Sequence, residues 1–284
     1  MKKAILVFTK VPKVGDCKTR LTEARGGILT PEEATALYEA CLLDVLDTCL
    51  SVGVDVWVCH NRDGDRSHLN YLLAELKDLD HLAGVFPDQG GSFDDCMQYA
   101  ADFILKSGQQ NRLADCLLIC GGDLPSLQPS TLKDALMKLE ALAYSKAGQQ
   151  AAMKEVTDRE GRLIGAAVVE GACQEGGFSL VGLTCTTDFD FYSVFYNIHG
   201  VTALDMLANK VWERDIPIAF VEQVPDLDLP VDLASLIPVL RVMELAAQYD
   251  PGVKVPRRVL RYLEDIGLQS TAVPPESKKL EMLN

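Results

Sequence analysis

The chain has 284 residues, of which 48% are hydrophobic and 24% charged, and its formal net charge is −14. Such a composition belongs to an ordinary globular chain with material for one large α/β domain and an appendage. An acidic surface repels nucleic-acid backbones and anionic membranes, so neither is expected as a partner, and a phosphate-bearing ligand must meet a local concentration of Lys and Arg.

The N-terminus reads Met-Lys-Lys and then the short apolar run Ala4–Thr9. It lacks the longer apolar region and small-residue cleavage site of a secretory signal, and no run approaches membrane-spanning length. Several of the nine cysteines (Cys41, Cys49, Cys59, Cys116, Cys120) sit inside apolar segments, and none forms a Cys-x-x-Cys pair. Buried free thiols and a cytoplasmic location are the expectation.

Strand-like and helix-like runs alternate along the chain, which predicts a parallel or mostly parallel α/β sheet. Ala4–Thr9 reads as a buried first strand. Pro31–Leu50 reads as a helix, with Thr30 as N-cap, Pro31 in the first helical position and Glu33 completing a T-x-x-E capping box. Val54–Cys59 is a strand, Arg66–Leu79 a helix, Ala83–Phe86 a short strand, and Phe93–Lys106 a helix with Asp94 and Asp95 in its electropositive first turn. Leu113–Cys120 carries a strong strand signal, and Pro129–Tyr144 is helical by period. The polar stretch Ser145–Arg162 reads as a mobile, partly helical surface excursion. Strands at Leu163–Glu170 and Phe178–Leu183 flank a glycine-containing turn, followed by a helix at Thr202–Arg214 and a strand at Ile216–Val221. A long helix runs from after Pro230 to about Tyr249, Asp250-Pro251-Gly252 breaks it, and Val255–Ile266 is a further amphipathic helix. That last helix, bearing Arg257, Arg258 and Arg261, is expected to cover the domain's edge, with packing on a partner copy in a homodimer as the alternative. The final fifteen or so residues lack the pattern of a packed element.

The loop after the first strand, "KVPKVGDCKTRL" (Lys10–Leu21), invites comparison with a P-loop and fails it. A P-loop needs glycine immediately before Lys-Thr and another five residues earlier. Cys17 and Pro12 stand there, and proline has no N–H to offer a phosphate. The loop nevertheless leaves the carboxyl end of a strand, where open α/β sheets bind ligands. Lys10, Lys18 and Arg20 supply point charges and a bidentate fork, and Gly15 allows close backbone approach. A polyphosphate cradle is one reading and a solvated basic loop the other.

Gly121-Gly122-Asp123-Leu124-Pro125 follows a buried strand directly and puts a carboxylate where Mg²⁺ could be held against a phosphate. The alternative is a turn aspartate. Asp226 and Asp228 lie in an acidic turn, so that Asp123 with Asp228 could form one metal site, while Asp232 reads as a helix cap. The double glycine in "GACQEGGF" (Gly171–Phe178) is either a tight turn or a bare-backbone surface for an acceptor. His60, His68, His81 and His199 are dispersed without metal-ligand spacing and are expected in loops or on the surface, and Trp57 and Trp212 in or beside the core.

"KVPKVGDCKTRL", "GGDLPSL", "GACQEGGFSLVGL" and "DLDLPVDL", in that order, resemble the motifs of bacterial and archaeal transferases of the glycosyltransferase-like or molybdenum-cofactor-guanylyltransferase-like kind, related to the 2-phospho-lactate guanylyltransferases. The resemblance implies a nucleotide-diphospho-sugar-transferase (glycosyltransferase-A, Rossmann-like) fold, a three-layer α/β/α sandwich. It divides the chain into a catalytic domain over 1–240 and a C-terminal helical extension with a flexible tail over 241–284. It also implies a transferase using Mg²⁺ (or Mn²⁺), a nucleotide (an NTP or a nucleotide-sugar) and a small-molecule acceptor. By position, Lys18, Arg20 and Asp123 would be catalytic, and Lys10, Gly15, Thr19 and Gly122 nucleotide-binding. Glu175, Gly176 and Gly177 would meet the acceptor, and Asp123 and Asp228 the metal. Three departures stand out: Glu175 in place of Asp, Leu229 in place of Thr, and Asp94 and Cys96 where the family tends to carry glycine and arginine. Nucleotidyl transfer, glycosyl transfer and nucleotide binding without turnover all follow from this pattern.

Overall fold

The computed structural model describes residues 1–195 and 197–270. Its frame is a seven-stranded sheet in the order β3-β2-β1-β4-β6-β5-β7. The strands are β1 (Lys3–Thr9), β2 (Asp55–His60), β3 (Leu82–Pro87), β4 (Cys116–Gly121), β5 (Val168–Ala172), β6 (Phe178–Thr184) and β7 (Ile218–Val221). All neighbours pair in parallel except β6, which runs antiparallel to both β4 and β5. Eight helices are described: α1 (Pro31–Leu50), α2 (Arg66–Leu73), α3 (Phe93–Leu105), α4 (Pro129–Ala143), α5 (Lys146–Ala151), α6 (Ala203–Glu213), α7 (Pro230–Ala246) and α8 (Arg257–Asp265).

The pleat sorts side chains into two layers. Leu6, Trp57 and Ile119 are aligned across the strands and share one face, which α3 covers through the Phe103 ring beside Trp57. The opposite face carries Leu118 and Cys120 and takes α1 and α4: Cys49 of α1 touches Cys120, and Leu139 of α4 reaches Gly182 beside Leu118. Helices on both faces of a mostly parallel sheet make the three-layer α/β/α sandwich. The two strands at its centre are apolar over Ala4–Phe8 and Cys116–Cys120 because both faces are covered.

A second, smaller core lies beside the sheet. Leu21 and Leu29 of the first loop, Leu37 and Cys41 of α1, Leu227, Leu233, Leu236 and Leu240 in and before α7, and Val259, Leu260 and Leu263 of α8 are buried together. The basic helix α8 is therefore seated on this chain's own α1. Asp44, 5% exposed, accepts hydrogen bonds from the Arg258 and Val259 amides and from the Arg258 guanidinium, so a buried α1 carboxylate caps the α8 N-terminus. Tyr262 adds a bond from its hydroxyl to the Glu33 carbonyl at 3.0 Å.

Several local expectations change. The stretch Ser145–Arg162 is partly helical, as expected, through α5, but it is held down near its end: Asp158 is 6% exposed and bonded by Tyr144 and Arg162. β5 begins at Val168 rather than Leu163, because Gly165 and Ala166 are engaged with α4 and α5. A Cβ on Gly165 would lie 2.3 Å from the Gly148 carbonyl carbon. α2 stops at Leu73. His60 is not in a surface loop. It is 3% exposed at the end of β2, its Nδ1 against the Asn61 carbonyl and its Nε2 against Arg66. Trp212, on the outer side of α6, is 84% exposed rather than packed. The nine cysteines are free, and all but Cys173 are buried. The expected tail beyond residue 270 lies outside the described residues.

Candidate active site

The chain order reverses between β1 and β4: β2 and β3 continue on one side, while β4 and the later strands lie on the other. A crevice opens at the carboxyl ends of such a pair, the usual ligand position in open α/β sheets. Two of the sequence-singled loops leave the sheet at this place, one from β1 and one from β4.

Asp123 stands just past β4. Two glycines make room for it: a Cβ at Gly121 would sit 2.5 Å from the Asp123 Oδ1, and one at Gly122 would sit 2.9 Å from Leu42 and 3.1 Å from the Thr9 hydroxyl. The Asp123 carboxylate accepts a hydrogen bond from the Lys18 ammonium at 2.5 Å, and Asp228 accepts a second at 2.7 Å. The Lys18 side chain is only 6% exposed. Burial alone would depress its pKa, but the two carboxylates outweigh that and hold it well above the ordinary lysine value. The same ammonium lies 5.6 Å from the Tyr38 ring centroid, and the Tyr38 hydroxyl shares a hydrogen bond with Thr9.

Lys18 itself has φ 48 and ψ 37, a left-handed conformation unusual for a residue with a side chain. This costs of the order of 1 kcal/mol or more and calls for a local reason. The αL kink turns the chain into the Thr19–Leu21 turn while the Lys18 side chain stays directed at the carboxylates. Arg20 follows at the rim, 61% exposed, and approaches Asp228 at 3.4 Å.

Asp226 belongs to the same cluster, although the sequence argument rested the metal on Asp123 and Asp228. Its pKa is pushed up to about 6, chiefly by burial and then by the charges of Asp123 and Asp228. Asp228 goes the other way: burial acts to raise it, but Lys18 and Arg20 hold it below the ordinary carboxylate value. Three carboxylates thus face one buried ammonium and one exposed guanidinium, leaving the cluster short of positive charge. Gln174 fixes the acidic segment. Its amide accepts from the Asp226 N–H at 3.1 Å and donates to the Asp226 carbonyl and the Asp232 carboxylate, both at 3.2 Å. Asp232 in turn caps α7 by accepting from the Asp228 and Leu229 amides.

The turn between β5 and β6 closes this side. Glu175 (φ 57) and Gly176 (φ 74) are left-handed, and a Cβ at Gly176 would meet Thr202 at 2.5 Å, so only glycine fits there. Burial, then the charges of Asp226, Asp123, Asp228 and Glu175, push Cys173 up to about 12, which marks this turn as bordering the acidic cluster.

Lys18, Arg20, Asp123 and Asp228 are therefore brought into contact, with Gly122 beneath them and Glu175–Gly177 alongside. Lys10 is exposed. Gly15, with φ 83, lies in open space at the loop tip, where Lys13 and Asp16 pair at 3.1 Å. Thr19 caps the following turn through its carbonyl. These three do not join the cluster. Thr9, Tyr38 and Gln174 are partners the sequence argument passed over, although Thr9 could have been suspected from its place at the strand end; Asp226 was singled out beside Asp228 but given no role.

The donor chemistry suits a hard dication. Mg²⁺ takes oxygen ligands, commonly one or two protein carboxylates completed by phosphates and water, and Asp123 with Asp228 supplies two. Among the described residues no group of three or more His, Cys, Asp or Glu is gathered tightly enough to hold a metal alone. Lys18 stands between the two carboxylates that would do so.

Asp94 departs from the expected pattern without touching this cluster. It is 7% exposed and accepts hydrogen bonds from the Ser193 and Phe195 amides at 2.9 and 3.0 Å. The Phe93 ring meets Phe8 and Phe195 edge-on, and Phe178 tilts against Phe195. These four rings form an aromatic wall beside the crevice.

Among solved structures, a candidate nucleotide-diphospho-sugar transferase from Desulfovibrio desulfuricans G20 superposes with a TM-score of 0.68 at 20% identity, over 94% of this chain and 97% of that one. The fold is thus that of the nucleotide-diphospho-sugar transferases. A cytidylyltransferase from Leptospira borgpetersenii serovar Hardjo-bovis gives 0.47 at 11% identity (96% and 99% covered). A 4-diphosphocytidyl-2C-methyl-D-erythritol synthase from Anaerococcus prevotii gives 0.43 at 12% (84% and 99%). Both are too distant to argue from. A search of curated proteins finds no match. No helix among the described residues is long and apolar enough to cross a membrane. Residues 45–198, more than half of the chain and including Asp123 and the Glu175–Gly177 turn, match one family throughout, and the chain belongs to it: the uncharacterized proteins conserved in bacteria of family DUF2064.

Proposed function

We propose that the protein is a cytoplasmic Mg²⁺-dependent nucleotidyltransferase. It would move a nucleotidyl group from an NTP to a small phosphorylated or hydroxyl-bearing acceptor and release pyrophosphate. The observation that carries this reading is the Lys18 ammonium held between Asp123 and Asp228 at the carboxyl edge of β1 and β4. Cation and carboxylates converge there from opposite sides of the crevice, as a metal–polyphosphate substrate requires. The motif resemblance to guanylyltransferase-like proteins points the same way.

Lys18 and Arg20 bind the β- and γ-phosphates in this reading, with Lys10 and the Gly15 backbone extending the cradle. The Lys18 ammonium exchanges carboxylate for phosphate oxygen when the nucleotide arrives, and Asp123 and Asp228 are then the residues that would hold Mg²⁺. When bound, the ion supplies neutralisation of the charge that develops on the leaving pyrophosphate. Asp226, crowded by its neighbours, gains most from that neutralisation. The acceptor approaches over Gly176 and Gly177, with Glu175 at hand for its proton. Attack on the α-phosphorus is an in-line displacement that needs no covalent enzyme intermediate; positioning and charge carry it.

Glycosyl transfer from a nucleotide-sugar is the second reading, favoured by Glu175, a carboxylate on a strained turn beside the acidic cluster. Purified protein incubated with Mg²⁺, mixed NTPs and a metabolite extract separates the two. Pyrophosphate released from an NTP and abolished by Asp123→Asn is expected. Nucleoside diphosphate released from a nucleotide-sugar, with no pyrophosphate from any NTP, would overturn the proposal in favour of the second reading. Tight nucleotide binding with neither product would leave a binding protein.

A further inference from the structure

A cavity of about 640 Å³ lies at the C-terminal end of α1, bounded by the segment after α2, the α7–α8 connection and α8. Its lining is cationic, in a protein whose net charge is −14. Lys77, Lys254, Arg257, Arg258 and Arg261 face it, against Asp44, Asp47 and Asp78. Two of the three carboxylates are already engaged: Asp44 and Asp47 both bind the Arg258 guanidinium. Lys77, Lys254, Arg257 and Arg261 form no ion pair among the described residues, and Asp78 is the remaining acid in the lining.

We propose that this cavity is a second ligand site, taking a small molecule that carries a phosphate group. Four uncompensated cations drawn from three segments repel one another unless an anion joins them. Arg257 and Arg261 are four residues apart on α8 and present their guanidiniums on the same side of the helix, the fork geometry suited to phosphate oxygens. The framework that places them is fixed. Lys254 is clamped by Gln128, whose side chain accepts from its N–H at 2.9 Å and donates to its carbonyl at 3.0 Å. The first turn of α8 is pinned by Asp44.

Shape and charge select the class of occupant. The cavity falls within the roughly 300–1,000 Å³ of small-molecule sites. A nucleic-acid strand or an anionic membrane would bring its charge against the rest of an acidic surface and be repelled. The site is separate from the crevice: Tyr38, beside Lys18, lies nine residues before Asp47 on α1, about 14 Å at 1.5 Å per residue. α1 starts at the carboxyl edge of the sheet and ends at its amino edge, so the two sites occupy opposite edges. The proposal therefore stands whether or not nucleotidyl transfer is the reaction.

The test is calorimetric titration of inorganic pyrophosphate into metal-free, full-length protein carrying Lys18→Ala, which removes the buried phosphate-facing charge at the other edge. One pyrophosphate should bind per chain, and adding Arg257→Ser and Arg261→Ser should weaken it roughly tenfold or more. Unchanged affinity in the folded triple variant, or no binding to Lys18→Ala, overturns the proposal. The wild-type protein supplies a check independent of those variants. Saturating pyrophosphate should slow amine acylation of Lys77 and Lys254 several-fold by mass spectrometry, with the exposed Lys133 and Lys154 unaffected. Equal labelling with and without pyrophosphate also overturns it. Glucose 6-phosphate run through the same assays, with the same dependence on Arg257 and Arg261, supports a carried phosphate rather than the bare ion.

Discussion

Lys18 is the counterion of two carboxylates and, in the proposed function, also meets the substrate's phosphates, so its removal is informative. Without it, Asp123, Asp226 and Asp228 face one another with Arg20 alone for relief. Lys18→Met should cut turnover by about two orders of magnitude or more, as expected when a charge that stabilises a transition state is lost. It should also lower Tm more at pH 8 than at pH 5. In the wild type, the raised Lys18 pKa means that its contribution is complete throughout this range. In the variant Asp226, already pushed up to about 6, must ionise without the nearby ammonium, and its protonation relieves the cluster only as pH falls. An equal Tm loss at both pH values would show that the cluster is not electrostatically coupled. Glu170 offers a second titration away from the crevice. It is 5% exposed on β5 and its Oε1 has no hydrogen-bond partner. Burial, and secondarily the Asp205 charge, push its pKa up to about 7. A carboxyl raised in this way favours folding below its unfolded value and loses that advantage as pH rises toward 7. Glu170→Gln should therefore stabilise the protein at pH 8 by about 1–3 kcal/mol and leave it nearly unchanged at pH 4, the bound set by a shift worth about 1.4 kcal/mol per pH unit. Urea midpoints across that range check it.

The seating of α8 depends on a single buried carboxylate from a neighbouring helix. Asp44 of α1 holds the first turn of α8, and Asp44→Ala removes three hydrogen bonds and leaves the Arg258 guanidinium with Asp47 as its one carboxylate and the Glu75 carbonyl at 3.5 Å. A loss of about 2–4 kcal/mol is expected, together with faster exchange of the Arg258 and Val259 amides. Exchange confined to other elements would show that α8 is seated by its apolar face instead. How much of this was legible in the sequence follows from where each interaction closes. α1 could be bounded from Thr30, Pro31 and Glu33 because a capping box closes within four residues. The αL kink at Lys18 could not, because its purpose depends on carboxylates more than a hundred residues away. Asp94 stood out as a departure from the family pattern, whereas its oxygens bind the Ser193 and Phe195 amides, a contact with no local signature. Leu163–Ala167 is apolar enough for a strand, but close backbone contacts around Gly148 and Gly165 take it out of the sheet. His60 and Trp212 were misjudged by residue type: a histidine can be buried when both ring nitrogens find partners, and one exposed tryptophan is tolerated on an outer helix face.

The whole molecule couples its crevice to its smaller core. Leu21 follows the Lys18 turn and Leu227 precedes Asp228, and both are buried with α1, α7 and α8. The two sides of the crevice are therefore anchored in a common packing unit, and a ligand joining them should stabilise that unit against unfolding. Linkage makes this measurable: a ligand at a hundred times its Kd contributes about 2.7 kcal/mol. For a domain of this size that corresponds to a Tm rise of the order of 5–10 °C. The charge pattern makes the stabilisation conditional. Mg²⁺ alone must displace the Lys18 ammonium from Asp123 and Asp228, and an NTP alone brings its charges toward three carboxylates. Each should shift Tm little. In the proposed function the two together satisfy both sets of groups, with phosphate taking the ammonium and the dication taking the carboxylates, so the joint shift should far exceed the sum of the separate ones. Asp123→Asn should abolish this synergy while leaving the effect of Glu170→Gln intact, because Glu170 lies on the opposite face of the sheet from α1. Additive shifts from Mg²⁺ and NTP in the wild-type protein would mean that Lys18 does not stand between metal and nucleotide.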